Sequence, residues 1–122
     1  MKSWNRMSRE PNEQGQDGAV VLYTTWPDAA AAQRCARSLP EPRLAACVNI
    51  GAETTSTYRW HCATETSRET VMLVKTATGL AQATPDVILA NHPYETACVL
   101  AFTASSVGSS SAFLGWISAE VA

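Results

Sequence analysis

Four runs of apolar and β-branched residues, two intervening helical segments punctuated by proline and a closing helical segment predict an α+β domain in the order β-α-β-β-α-β, followed by a C-terminal helix. That order is the ferredoxin-like arrangement, an antiparallel sheet with helices packed on one face. A chain of 122 residues has room for one such domain with a small core.

The elements follow in order. Residues 1–18 hold Pro11, Gly15 and Gly18 among mostly polar side chains with no apolar period, so a disordered N-terminal tail is expected there and the folded domain over 19–122. Ala19–Thr24 is a short apolar run that reads as a buried strand. Pro27 and Asp28 then open a helix, proline supplying a fixed φ and aspartate favouring the positive helix end. Ala29, Ala32, Ala36 and Leu39 form its expected inner stripe, and Pro40 and Pro42 stop it. Arg43–Ile50 reads as a second strand, Gly51 as a bend or bulge, and Ser56–Trp60 as its continuation. His61–Arg68 is polar and is expected to be a hairpin connection to the strand Glu69–Thr76. A helix fits between Leu80 and Asn91 if Pro85 falls in its first turn, and Ala97–Thr103 and Ser110–Glu120 supply the last strand and helix.

Composition excludes several functions. A net charge of −2 with nine scattered Lys and Arg residues offers no basic patch for nucleic acid. No apolar stretch is long enough to span a membrane, and the polar Asn5, Arg6, Ser8, Arg9 and Glu10 stand where a signal peptide has its apolar core, so a cytoplasmic protein is expected. Cys35, Cys47, Cys62 and Cys98 form no C-x-x-C pair and read as free thiols. There is no nucleophile elbow, P-loop, dinucleotide fingerprint or carboxylate pair, so neither catalysis nor an organic cofactor is expected.

The distinctive strings are Leu44-Ala45-Ala46-Cys47-Val48-Asn49-Ile50, Ser56-x-Tyr58-x-Trp60, Glu69 with Lys75-Thr76, His92-Pro93-Tyr94-Glu95, and Trp116 near the end. In this order and spacing they resemble the CutA divalent-cation tolerance proteins over about residues 19–121. The resemblance implies a homotrimer whose strands pair between subunits, and it makes Cys47 a candidate copper ligand, a thiolate suited to soft metal, with His92 as a second. Cu(II) or another divalent cation is the implied ligand. Cys47 also reads as a small buried thiol, as free cysteines more often are, and His92-Pro93 as a helix stop. His61 and Cys62 read as an exposed loop pair rather than as ligands.

Tyr58, Trp60, Glu69, Lys75, Tyr94 and Trp116 are the candidate groove. Tyr58 and Trp60 share one strand parity, and Glu69, Val71, Leu73 and Lys75 share one on the partner strand, so rings and charges are expected to line a common inter-subunit surface. Such a groove suits a small anion, a nucleotide or a metal ion, or else Glu69 and Lys75 bond within the interface. The alternative function is therefore a small-molecule-sensing trimer similar to the PII-type signalling proteins. The chain departs from the family pattern at Thr24 and Val87, where some relatives carry further cysteines. His61 and Cys62 replace an acidic residue and a glycine after Trp60, and Ala97 and Cys98 replace a proline and a glutamate.

Overall fold

The computed structural model describes residues 18–122. The tail expected over 1–18 lies outside the described residues apart from Gly18, whose carbonyl accepts the Thr78 amide at 3.0 Å. Strands β1 (Ala19–Trp26), β2 (Cys47–Trp60), β3 (Ala63–Ala77) and β4 (Val99–Thr103) form one sheet in the order β2-β3-β1-β4, with every neighbouring pair antiparallel. Helices α1 (Ala29–Arg37), α2 (Ala83–Asn91) and α3 (Ser111–Glu120) complete the ferredoxin-like order with its C-terminal helix.

Strand parity divides the sheet into two faces. Val20, Leu22, Trp26, Met72 and Val74 point to one face and pack with Ala31, Ala32 and Cys35 of α1, with Leu39 and Ala45, and with Ile88 of α2. The Asp28 side chain caps α1 by accepting the Ala31 amide at 2.8 Å, and Ser110 caps α3 from the Phe113 amide at 3.2 Å. Burial pushes the Cys35 thiol above its ordinary pKa, as a desolvated core cysteine requires. On the opposite face lie Val21, Tyr23, Val71, Leu73 and Lys75, flanked by Leu100 and Phe102 of β4, which are 54% and 56% exposed. Lys75 Nζ sits 5.4 Å from the Phe113 ring centroid, which brings α3 to the Lys75 end of that face.

Three expectations are corrected. Ala29 is exposed, and the buried stripe of α1 runs instead through Ala31, Ala32 and Cys35 towards Leu39. Arg43–Ala46 is not strand: Arg43 takes a left-handed φ of 62°, and the Leu44 carbonyl is held by the hydroxyls of Thr76 and Thr84 at 2.8 and 2.7 Å. These buried threonines provide the polar partners that a ladder would have supplied. The hairpin connection is two residues long, because β3 starts at Ala63, opposite Trp60. His61 and Cys62 carry it at φ 49° and 66°, the both-positive pattern of a type I′ turn. The expected irregularity at Gly51 is present as a register shift between Ile50 and Glu53.

β1 accompanies β3 only as far as the pair Trp26 and Thr70. Beyond it, Glu53–Trp60 and Ala63–Glu69 continue as a two-stranded arm about 20 Å long, largely exposed. A two-stranded ribbon alone is marginally stable in water.

Candidate functional site

One face of the arm, the end of β1 and the segment after α2 line an open cleft of ≈ 520 Å³. The register builds one wall. Thr54, Ser56, Tyr58 and Trp60 lie opposite Glu69, Ser67, Glu65 and Ala63, so all share one face, and the Ser67 hydroxyl donates to Tyr58 Oη at 3.3 Å. The shift at Ile50/Glu53 is what brings Tyr58 and Trp60 onto the Glu69 face. Arg59 and Arg68 fall on the other face of the arm, where Arg68 pairs with Glu53 at 2.6 Å.

The second wall depends on His92. α2 ends there, Pro93 prevents continuation, and the ring is buried against Trp26 with centroids 4.1 Å apart. Its Nδ1 accepts the Tyr94 amide at 3.1 Å, so the proton lies on Nε2, which donates to the Thr25 carbonyl at 2.7 Å. Thr25 is one residue past the last pair between β1 and β4, and the imidazole bonds its carbonyl where β4 no longer runs alongside. This bracket directs Tyr94 into the cleft, where it hydrogen-bonds Glu69. Burial, then the charge and hydrogen bond of Glu69, push the Tyr94 phenol above its ordinary pKa, which keeps the hydroxyl protonated as the donor.

The predicted groove residues therefore divide. Tyr58, Trp60, Glu69 and Tyr94 all line the cleft, with Glu69 at the base of the arm and Trp60, opposite Ala63, at its tip. Lys75 does not: it lies six residues along β3 from Glu69, about 20 Å away on the same face, and contacts Phe113. Trp116 is with it on α3, its ring 5.4 Å from that of Phe113. No contact between Glu69 and Lys75 forms within the chain, because equal parity sets direction and not proximity.

The candidate metal ligands are also apart. Cys47 is opposite Lys75, which is opposite Val21, whereas His92 bonds Thr25, four residues and about 13 Å further along β1. Cys47 is half-buried with its thiol 3.7 Å from Asn49 Oδ1, and both nitrogens of His92 already have protein partners. Among the described residues no three His, Cys, Asp or Glu side chains form a group able to hold a metal ion. The two positions without the relatives' cysteines hold a buried Thr24, bonded to the Met72 carbonyl at 2.9 Å and to the Trp26 indole at 2.7 Å, and a core-packed Val87.

Sequence reasoning did not single out Glu65, Ser67 and Thr25 as cleft residues. Reading 61–68 as a connection hid the first two, although the alternating threonines Thr64 and Thr66 signal strand. It also left out Arg43, whose guanidinium donates to the carbonyls of Ala119, Val121 and Glu120 at 3.0, 3.1 and 3.3 Å and so caps α3. A left-handed arginine after two prolines gave no signal for that contact.

Comparison with known proteins agrees with this architecture. Residues 20–120 match the family of CutA1 divalent ion tolerance proteins. Over 103 residues the chain is 41% identical to the divalent-cation tolerance protein CutA of Pectobacterium atrosepticum, covering 84% of this chain and 92% of that protein. It is 40% identical over 81 residues to the human protein CutA, covering 66% of this chain and 45% of the human one, so it spans about half the length of that relative. Among solved structures, CutA1 from Oryza sativa has a TM-score of 0.80 at 31% identity, covering 86% of this chain and 94% of that one. The periplasmic divalent cation tolerance protein CutA from Archaeoglobus fulgidus has a TM-score of 0.78 at 34% identity, with 85% and 99% covered.

Proposed function

The chain belongs to the CutA1 divalent ion tolerance protein family, and from that premise we propose that it acts in divalent-cation tolerance as a non-catalytic homotrimer that engages copper through Cys47. The threefold state comes from the family resemblance. What supports association in this chain is the unaccompanied arm of β2 and β3, with Tyr58 38% and Trp60 50% exposed, beside a sheet face that leaves Leu100 and Phe102 in solvent. Pairing and packing against further copies would bury both surfaces. Copper binding is modest in this reading, because Cys47 brings one thiol and its cross-strand neighbour Lys75 is a cation.

No observation favours the nucleotide-sensing alternative. Glu65, Glu69 and Glu95 line the cleft, among the described residues no Lys or Arg does, and such a lining repels phosphate.

Light scattering at micromolar concentration should return three chain masses; a monomer would remove the arm-pairing argument. Calorimetry should rank Cu(II) above Zn(II) with Mg(II) undetected. Cys47→Ser should weaken copper about tenfold, on the order of 1.4 kcal/mol, with the trimer intact. Unchanged copper affinity in that variant would reject Cys47 as the ligand.

A further inference from the structure

We propose that in the assembled protein the Glu69 carboxylate of each copy pairs with the Lys75 ammonium of the next, and that this pair sets how the copies are arranged around the threefold axis. The inference rests on the homotrimer proposed above and names the contact on which it closes.

Within one chain both charges lack an opposite partner. Glu69 is 9% exposed and accepts the Tyr94 hydroxyl, a neutral donor. Lys75 is half-buried over the Phe113 ring, with no carboxylate paired to it among the described residues. A desolvated charge left unpaired is costly, and burying the open face in an interface raises that cost at both ends. The other described cations are placed elsewhere. Arg34 and Arg37 are in the last turn of α1, on the helix-covered side of the sheet, and Arg43 is held at the end of α3. Arg59 and Arg68 project from the opposite face of the arm, so Lys75 is the described cation that shares the open face with Glu69.

Symmetry turns that face into two complementary ends. A closed ring of three copies uses a heterologous contact, in which one patch of each copy meets a different patch of the next. The open face is negative at Glu69 and positive at Lys75, about 20 Å away. Meeting like end to like end would bury two charges of one sign together, whereas meeting head to tail pairs them. The arm leads the same way. It continues about 20 Å beyond Glu69, so with Glu69 at the neighbouring copy's Lys75 the arm runs on over that copy's Phe102, in the same cross-strand row as Lys75, and its Leu100. These two side chains are the ones the single chain leaves in solvent on that face.

The test is a double-mutant cycle on the full-length protein, with light scattering for assembly and thermal melting at one protein concentration for stability. Wild type is expected to be trimeric. Glu69→Gln, which keeps an acceptor for Tyr94, and Lys75→Met should each lower the melting temperature by about 5 °C or more. The double variant should lose no more than the worse single one, because neither charge is then left unpaired. At about 20 Å within one chain the two residues do not touch, so such coupling passes between copies. If the neutral single variants fail to fold, charge reversal decides: Glu69→Lys and Lys75→Glu should each abolish the trimer alone and recover it together. Losses that add in the double variant, or reversals that stay dissociated when combined, overturn the pair while a trimeric wild type leaves the assembly standing. A monomeric wild type overturns both.

Discussion

Replacing His92 by alanine separates its two candidate roles. The imidazole is 9% exposed, donates to the Thr25 carbonyl at 2.7 Å, accepts the Tyr94 amide at 3.1 Å and stacks on Trp26 with centroids 4.1 Å apart. Leaving a buried acceptor such as the Thr25 carbonyl without its donor costs about 1–3 kcal/mol, and losing the ring stack costs about 0.5–1.5 kcal/mol more. A total loss of about 2–4 kcal/mol follows, equivalent to a melting temperature lower by roughly 10 °C or more. Because an oligomer's melting point depends on its concentration, both proteins must be compared at the same one. His92→Gln restores a donor and should recover part of the loss. Copper affinity measured in parallel should stay within about twofold, since both ring nitrogens have protein partners and Cys47 is distant. Copper binding weakened tenfold with melting unchanged would refute this reasoning and return His92 to the metal site.

Two further substitutions test local features. Arg43→Met removes the three carbonyl contacts that close α3, and at this exposed position should cost about 1 kcal/mol, with amide exchange accelerated in residues 111–122 and not in the sheet; uniform acceleration would show that α3 does not open separately. Cys62→Gly should stabilise the protein by about 1 kcal/mol in chemical denaturation, because Cys62 holds φ 66° in a turn that favours glycine. A loss of stability would mean that the Cys62 side chain makes contacts worth more than that strain.

Much of the fold was readable because it rests on local signals. Asp28 and Ser110 cap the helices they were expected to open, Pro85 falls in the first turn of α2, and Gly51 lies in the register shift. What was not readable depends on long-range partners. Leu44 left the expected strand because two threonines 32 and 40 residues away bond its carbonyl, and Arg43 found its partners 76 to 78 residues away. The site was half visible for a similar reason: period-two parity grouped Tyr58 with Trp60 and Glu69 with Lys75, but it carried no information on the cross-strand register or on distance along a face. Lys75 shares their face and not their cleft.

That separation gives the open face two electrostatically different ends. At one end Lys75 is opposite Cys47 and under the Phe113 ring, so a cation is already present and a second one is disfavoured there. At the other, Glu69 is buried with carboxylates and aromatic rings around it and no cation among the described residues. The two are about 20 Å apart, twice the screening length of an ordinary buffer, so neither neutralises the other within one chain. Within one chain a positive charge therefore meets a favourable potential at the Glu69 cleft and an opposing one at Cys47. Copper at Cys47 must overcome that opposition through the strength of the metal–thiolate bond.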